Sequence, residues 1–257
     1  MRKKLAKYTF FRILYSTSLA FKQYIKLRFG RLIKNSFWYF GDYRRLKKAG
    51  ANPAFTLSNR FLQPCLIDKT ETTPLEPTYF FQDSWAAGKI FSNKPDHHYD
   101  VGSAAKTVGI ISQFVPTTMI DIRPIELSLP NLDFIKGSIL EMPFDDNSLE
   151  SLSSLCVVEH IGLGRYGDPI DPYGSEKAIM ELIRVVKPGG NLYFSVPIDS
   201  KCIVYFNAHR AFTRDYVMKL FAQMKLIEEK YHYGKELIDK YVPEKGFGTG
   251  LYHFQKI

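Results

Sequence analysis

Short β-type runs alternate with helix-length spacers between His98 and Pro197, and this alternation constrains the fold more than any other feature of the chain. Such a pattern is typical of a parallel sheet with helices on both of its faces. It predicts five strands and two helices, followed by a helix capped by Thr213 and a final strand pair. The predicted strands are 97–101, 117–122, 132–135, 151–158, 191–196, 225–233 and 251–255, and the helices are 103–114, 176–186 (stopped by Pro188-Gly-Gly) and 213–221. In these sheets ligands bind outside the carboxyl ends of the strands, so the residues that end each run form the candidate site.

Basic residues are concentrated ahead of this region. Residues 1–50 hold 14 of the 35 Lys and Arg residues but only one of the 26 acids, and the remainder has 21 basic residues against 25 acidic ones. The predicted sheet region is therefore mildly acidic. A uniformly basic nucleic-acid-binding domain does not fit this split, and no nucleic-acid partner is expected.

The N-terminal basic segment has an amphipathic pattern over residues 4–34, with aromatic and aliphatic residues on one side and Lys and Arg largely on the other. This pattern suits an anionic membrane surface, bound through residues 1–34. It equally suits a helix that packs on its own domain or on a second subunit. We divide the chain into a basic helical extension (1–50), a connecting arm with a capping helix (51–92) and an α/β domain (93–257).

Cysteine usage and hydropathy predict the compartment. The three cysteines, Cys65, Cys156 and Cys202, are too few and too scattered for a disulfide framework or a zinc site, which favours a reducing environment. Arg12 interrupts the apolar stretch that otherwise resembles a signal peptide, and no uncharged run reaches the roughly 20 residues that span a bilayer. We therefore expect a cytoplasmic protein, with peripheral attachment to the inner membrane face if residues 1–34 bind lipid.

Asp121 closes the second apolar run, 19 residues after Gly102. A carboxylate at the end of the second strand, at about this distance from the first turn, is suited to binding ribose hydroxyls. Gly102 would let the backbone approach a ligand that a side chain would block, and Ser103 is small enough to leave that approach open. The simpler alternatives are a turn glycine and a strand-end aspartate. The order and spacing of the pieces together favour a nucleoside-containing cofactor.

The same motifs resemble those of class I S-adenosylmethionine-dependent methyltransferases. The segments that carry the resemblance are 100–102, 120–122, 137–149, 155–161 and 181–190. Within that superfamily the chain is more similar to a domain family of unknown function found in nematodes and in bacterial surface-polysaccharide gene clusters. This closer resemblance rests on residues 79–87, 164–172 and 206–210.

The resemblance implies a doubly wound, seven-stranded, mostly parallel α/β sheet of the Rossmann-like methyltransferase type, and S-adenosylmethionine as the cofactor. By position, Asp100, Gly102 and Ser103 would line the methionine portion, Asp121 and Ile122 would hold the ribose and flank the adenine, and Ser138 and Ile139 would border the adenine ring. Two features depart from the superfamily pattern, namely a single glycine in the first motif and a serine at position 138 where many relatives have aspartate. A catalytically silent, scaffolding relative is therefore the alternative to an enzyme.

Candidate acceptor-side residues follow the fourth and fifth predicted strands. Transfer to a sugar hydroxyl would require a base, and the candidates are His160, Asp168, Asp171 and His209. Asn207, Arg210 and Asp171 are predicted contacts of the substrate, a small molecule or glycolipid. Asp168 and Asp171 lack a third ligand, so no metal site is predicted. The sequence leaves the oligomeric state open.

Overall fold

The computed structural model describes residue 30, residues 32–50 and residues 52–257. The chain divides into two compact units, and the boundary falls between Pro74 and Leu75. Among the described residues, no helix is both long and apolar enough to cross a membrane. The predicted membrane-binding segment, residues 1–34, lies outside the described residues except for residues 30 and 32–34. Its membrane role stays a prediction.

The first unit contains helix α1, residues 32–49, and a mostly irregular segment after it. Three side chains of α1 hold that segment. Asn35 Nδ2 donates to Leu66 O at 2.5 Å, and Tyr43 Oη donates to Asn59 Oδ1 at 2.6 Å. The Lys69 ammonium lies 4.5 Å from the centre of the Trp38 ring, which is within the range of a cation–π contact.

The second unit alternates strands with helices, as the sequence pattern predicts. Its helices are α2 (Pro77–Asn93), α3 (Ala105–Ile111), α4 (Gly174–Val185) and α5 (Arg214–Leu220). Its strands are β1 (His98–Val101), β2 (Thr117–Asp121), β3 (Leu132–Lys136), β4 (Leu149–Leu155), β5 (Val186–Ile198), β6 (Ile203–Tyr205), β7 (His209–Ala211), β8 (Met224–Tyr233), β9 (Glu236–Ile238) and β10 (Gly248–Lys256).

The main sheet of the described chain has the order β3-β2-β1-β4-β5-β10-β8-β9. Strands β1 to β5 pair in parallel, and β10 runs antiparallel to both of its neighbours. The predicted mostly parallel, doubly wound sheet is confirmed. It carries one strand more than expected, because the short β9 extends its edge by pairing with β8. A separate two-stranded hairpin, β6–β7, was also missed, because three-residue strands leave little periodicity to detect.

The Pro188-Gly189-Gly190 segment follows the end of α4 as the sequence predicts, but β5 begins earlier than predicted, at Val186 instead of residue 191. The helix ends at Val185, and Pro188 lies within the first part of β5. Here the β4–β5 pairing shifts register, so that Leu149 pairs with Val186 but Ser151 pairs with Asn191. Proline is tolerated in a sheet at such an irregularity because it donates no ladder hydrogen bond.

Aromatic side chains fill the core between the sheet and its helices. On one face, Phe194, Phe221 and Phe254 pack with ring centroids 4.3 to 4.8 Å apart. On the other, Trp85 of α2 packs edge-on against Tyr193, and Trp85 Nε1 donates to Glu228 at 3.1 Å. Helix α2 starts where Pro77 follows Glu76, whose side chain accepts from the amide of Tyr79. It is thereby fixed over the sheet, with its first turn near the carboxyl ends of the strands.

Candidate active-site cleft

A cleft opens where β1, β2 and β4 end, and it consists of two adjoining cavities. The first cavity has a volume of about 340 Å³ and the second about 680 Å³. Six residues line both, which makes the two cavities continuous: Gly102, Asp121, Arg123, Cys156, His160 and Tyr166. The cleft therefore lies at the edge of the sheet that the strand pattern predicts.

Gly102 forms the turn that ends β1. Its φ angle is +71°, a conformation that residues with a Cβ rarely adopt, and an added Cβ would lie 2.9 Å from Val157 Cγ1. Any side chain here would also intrude where the two cavities join. The glycine keeps the backbone open to a ligand, as expected from the sequence.

Asp100 and Ser103 fix this turn against β4. The Asp100 carboxylate accepts from the Ser103 amide at 3.0 Å and from the Ser153 hydroxyl, and Ser103 Oγ accepts from the Leu155 amide at 3.0 Å. Burial raises the pKa of Asp100 to about 6. Ser103 lines the second cavity, whereas Asp100 is fully buried and lines neither. Asp100 therefore shapes the turn from below, and its predicted contact with a ligand stays a prediction.

Asp121 ends β2 and lines both cavities. Its Oδ1 accepts from the backbone amide of Arg123 at 2.8 Å and from Arg123 Nε at 3.3 Å, and its Oδ2 lies 3.4 Å from Arg123 Nη2. The carboxylate is only 9% exposed, so it is fixed at the cleft wall by its own turn and by one arginine. Because a carboxylate can accept about four hydrogen bonds, it retains capacity for a ribose hydroxyl.

The first cavity is mostly apolar beyond Asp121. Ile122, Ser138 and Ile139 all line it, as predicted for residues that would border an adenine ring. Ser138 Oγ accepts from the Leu140 amide at 3.1 Å, so the hydroxyl hydrogen remains available to a ligand. A mostly apolar cavity with a carboxylate in its wall is suited to a nucleoside.

His160 lies in a 3-10 turn, Val158–His160, directly after β4. Its Nδ1 is 2.7 Å from the carbonyl oxygen of Ala208, and because a carbonyl only accepts, Nδ1 carries the hydrogen and Nε2 a lone pair. Arg165 Nη1 donates to the same carbonyl at 2.9 Å. Burial is the main cause that lowers the pKa of His160 to about 4, and Arg165 and His209 add to it. His160 is therefore a neutral imidazole with one free acceptor nitrogen.

His209 begins β7 and lines the second cavity only. Its ring packs against Tyr205 and Phe247, at centroid distances of 5.1 and 5.4 Å. Burial and the charge of Arg165 lower the pKa of His209. The structure thus brings both predicted histidines to one cavity, although they are far apart in sequence.

Asp168 organises the loop 162–173 that covers part of the cleft. Its carboxylate accepts from the backbone amides of Gly162 at 2.6 Å, Tyr166 at 3.2 Å and Gly164 at 3.3 Å, which together lower the pKa of Asp168 despite its partial burial. Asp168 lines the first cavity and not the second, so it lies apart from His209. Through these bonds Asp168 caps the backbone of its own loop, as aspartates in turns commonly do.

The remaining predicted substrate contacts lie outside both cavities. Arg210 Nη1 donates to Ile161 O at 2.5 Å and to Ser175 Oγ at 3.1 Å, and its Nη2 donates to Asp171 O at 3.0 Å. The Asp171 carboxylate accepts from the Tyr173 amide and from Lys177. Asn207 is exposed in the β6–β7 turn. Arg210 and Asp171 thus anchor the loop 162–173, and their predicted contact with a substrate stays a prediction.

Sequence reasoning missed several residues that line the second cavity. Tyr79 comes from α2 and Phe247 from the segment before β10, both distant in sequence from the strand-end motifs, and no local pattern marks them. Tyr166 lies between two cations, with Arg123 4.7 Å and Arg165 5.2 Å from its ring centre. Arg123 follows Asp121 by two residues, and this spacing was a usable signal.

Glu159 lies in the segment 155–161, which carries the methyltransferase resemblance, but it was not predicted as a site residue. It is 1% exposed and lines the second cavity. Burial raises the pKa of Glu159 to about 8, against the lowering effects of its own amide, Cys156 and Arg165. Cys156, beside it, has a φ of +54° and a pKa raised by burial, so its thiol is not activated as a nucleophile. Within the described ranges, no group of three His, Cys, Asp or Glu residues could hold a metal ion.

Two sequence comparisons bear on this cleft. A family model described as "Caenorhabditis protein of unknown function, DUF268" matches residues 132–239, which confirms the predicted resemblance to a nematode family over that range. A demethylmenaquinone methyltransferase from Renibacterium salmoninarum is 38% identical over 63 residues, covering 24% of this chain and 22% of that protein. The chain therefore spans only about a fifth of the length of this curated relative.

Similar solved structures identify the fold. The N-methyltransferase NodS from Bradyrhizobium japonicum, in complex with S-adenosylhomocysteine, is 16% identical, with a TM-score of 0.50 over 83% of this chain and 97% of that one. The [4+2]-cyclase SpnF is 12% identical, with a TM-score of 0.50 over 68% of this chain and 80% of that one. The chain has the class I methyltransferase fold. Because one neighbour is a cyclase, the fold alone does not fix the reaction.

Proposed function

We propose that the protein is an S-adenosylmethionine-dependent methyltransferase. The observation that carries the proposal is the continuity of the cleft at Gly102 and Asp121, where a nucleoside-sized apolar cavity joins a larger cavity containing two histidines. Gly102 forms the cradle, because its φ and the nearby Val157 leave no room for a side chain. Asp121 and the apolar wall of the first cavity fit a ribose and an adenine.

The cofactor would supply an electrophilic methyl group, so the chain's own task is mainly alignment. Gly102, Asp121 and Ser138 would hold the nucleoside end, and the turn of Ser103 would hold the methionine end. Tyr166 and the loop 162–173 would restrict water at the junction of the cavities. This division leaves the part of the second cavity beyond Ser103, around His209 and Phe247, for the acceptor.

For the acceptor we propose a hydroxyl of a sugar or glycolipid intermediate in surface-polysaccharide biosynthesis. A hydroxyl loses its proton as the O–CH₃ bond forms, and His160 Nε2 and His209 are the neutral imidazoles placed to accept it. Tyr79, Tyr166 and Phe247 add aromatic surface to the same cavity. The polysaccharide setting rests on the family resemblance.

A cytoplasmic location, with attachment to the inner membrane face through residues 1–34, is part of this proposal. It is supported by the basic, amphipathic pattern of that segment. Sedimentation of the full-length protein with vesicles tests it. We expect binding to vesicles that contain phosphatidylglycerol, weaker binding as salt rises, and none to pure phosphatidylcholine. Equal binding to both vesicle types, or none to either, would remove the electrostatic attachment.

The second candidate is a catalytically silent binding protein, and it is favoured by the contact between Arg123 and Asp121. If Arg123 stays bound to the Asp121 carboxylate when a ligand enters, the ribose loses its main hydrogen-bonding partner. Calorimetric titration with S-adenosylmethionine and S-adenosylhomocysteine separates the candidates. Binding of both supports the enzyme, and binding of neither leaves the fold as a module for another ligand.

A further inference from the structure

Glu159 is a buried acid of the second cavity with one unpaired carboxyl oxygen atom. It lies in the 3-10 turn after β4, is 1% exposed, and its Oε2 finds no hydrogen-bond partner among the residues that the structure describes. The neutral imidazole of His160 lies beside it, with Nε2 3.7 Å from Glu159 Oε1. A buried polar atom without a partner costs free energy, so it marks a place where a ligand can supply what the fold does not.

Among the residues described, no permanently charged cation that faces Glu159 forms a direct ion pair with it. Helix α2 contributes Tyr79, with Glu76 and Asp83 nearby, all of which are neutral or acidic. On its own segment the neighbours are the Cys156 thiol and His160, whose pKa is lowered to about 4 mainly by burial, so that its ring is neutral.

The loop 162–173 contributes the Arg165 guanidinium, which acts on Glu159 only through its charge, because its Nη1 donates to Ala208 O. No Lys or Arg of the described chain forms an ion pair with Glu159. The pKa of His209, in β7, is lowered as well, so its ring also supplies no positive charge near pH 7. In these surroundings the carboxyl group of Glu159 is protonated when no cationic ligand is bound.

We propose that Glu159 recognises the positive charge of the S-adenosylmethionine sulfonium and distinguishes this cofactor from the neutral thioether S-adenosylhomocysteine. The inference rests on the proposed function. It follows from position, because Glu159 and Ser103 line the same cavity and Ser103 stands where the methionine portion is expected. A cation entering this cavity lowers the pKa of the carboxyl group, so the proton of Glu159 leaves to solvent as the ion pair forms.

This change in the protonation of Glu159 favours the exchange of S-adenosylhomocysteine for S-adenosylmethionine. After methyl transfer the sulfonium becomes a thioether and its charge disappears, so Glu159 regains a proton and its attraction to the ligand is lost. Product release is then assisted by the same residue that strengthened substrate binding. No other carboxyl group of the second cavity combines full burial with a free oxygen atom, among the residues described.

The test is calorimetric titration of the full-length protein with both ligands, in buffers of different ionisation enthalpy, near pH 7. The dependence of the apparent heat on the buffer gives the number of protons released. With a pKa of about 8, Glu159 is about 90% protonated at pH 7, so we expect close to one more proton released with S-adenosylmethionine than with S-adenosylhomocysteine. Glu159→Gln should abolish that difference and weaken S-adenosylmethionine binding about tenfold, with S-adenosylhomocysteine binding changed less than threefold.

The matched control is Lys219→Gln, which changes the charge by one unit at an exposed position of α5 outside both cavities. It should keep the wild-type proton release and the wild-type ratio of affinities. Equal proton release with both ligands in the wild type overturns the inference even if the Gln variant does not fold, while the proposed function survives. Failure of the wild type to bind either ligand overturns both.

Discussion

The first cavity is lined by four segments that follow β1, β2, β3 and β4, whereas the second draws residues from α2, β5, β7 and the start of β10 as well. Arg123 and His160 line both cavities, whereas Asp168 and Ser138 line only the first, and His209, Arg165 and Glu159 line only the second. Cofactor recognition in this fold is therefore set by consecutive strand ends. Under the proposed function, acceptor recognition would depend on elements that come together only in the folded chain.

This difference makes the two cavities separable by mutation. Substitutions in the first cavity should change the affinity for both S-adenosylmethionine and S-adenosylhomocysteine. Substitution of His209, which lines only the second cavity, should change turnover and leave S-adenosylhomocysteine binding almost intact. A residue that affected both readouts strongly would show that the cavities act as one site.

The largest effect is expected at the histidine that serves as base. His209→Ala should lower kcat by about 10²–10⁴-fold if His209 accepts the proton, because that is the usual contribution of a positioned base. A contact without proton transfer would raise the acceptor's KM more than it lowers kcat. Steady-state kinetics with a methylatable acceptor, alongside S-adenosylhomocysteine titration, measures both quantities.

The pH profile identifies which histidine acts. A base works when it is deprotonated, so the rate falls as pH drops through its pKa. An acid limb near pH 4 would assign the role to His160, whose pKa is about 4, and the same limb should persist in His209→Ala. A wild-type limb that is higher, though below the ordinary histidine value, and that disappears in His209→Ala would assign it to His209. If His209→Ala turns over like the wild type, His209 is not part of the acceptor site.

The sequence predicted the first cavity better than the second for a physical reason. Gly102, Asp121, Ile122, Ser138 and Ile139 each follow a strand whose periodicity is visible, and the parallel sheet places strand ends side by side. The second cavity depends on long-range packing, so Tyr79 and Phe247 carried no local signal.

Arg210 illustrates what a sequence cannot distinguish. A cation in the segment after the fifth predicted strand could face a substrate or could bind backbone carbonyls, and the composition is the same in both cases. The structure shows its guanidinium donating to Ile161 and Asp171 carbonyls. His160 and His209, by contrast, were predicted from the edge of the sheet at which they emerge, and that edge is fixed by topology.

At Gly102 we expect the next largest effect. Gly102→Ala places a Cβ 2.9 Å from Val157 Cγ1 at a φ of +71°, so the turn must move and cofactor affinity should fall about 100-fold. Gly234→Ala is the matched control, since its φ is +59° but nothing lies within 4 Å of the added Cβ. Both variants should lose similar stability in thermal unfolding. Equal loss of S-adenosylhomocysteine affinity in the two would mean that strain, and not the cradle, governs binding.

A smaller loss is expected at Asp121. Asp121→Asn keeps the shape but removes the charge that strengthens a hydrogen bond to a ribose hydroxyl, and affinity for S-adenosylhomocysteine should fall about tenfold. Asp133→Asn removes an exposed carboxylate from the neighbouring strand β3 and should have no effect. A third variant, Arg123→Gln, removes the cation that contacts the Asp121 carboxylate. Tighter binding in that variant would show that Arg123 competes with the ribose, as the binding-protein alternative requires.

Tyr166 should give the smallest effect, and it tests whether the cavities are truly separate. Its ring lies at the junction of the two cavities and is held by Arg123 and Arg165 through cation–π contacts, each worth about 0.5–1 kcal/mol at an exposed site. Tyr166→Leu keeps apolar bulk and removes those contacts, so S-adenosylhomocysteine affinity should fall only about two- to fivefold, mainly through faster dissociation. Stopped-flow dissociation measures this, and Tyr173→Leu, an exposed tyrosine of the same loop that lines neither cavity, is the control. If dissociation is unchanged but the acceptor's KM rises, Tyr166 belongs to the acceptor side, and the boundary between the cavities lies between its ring and Asp121.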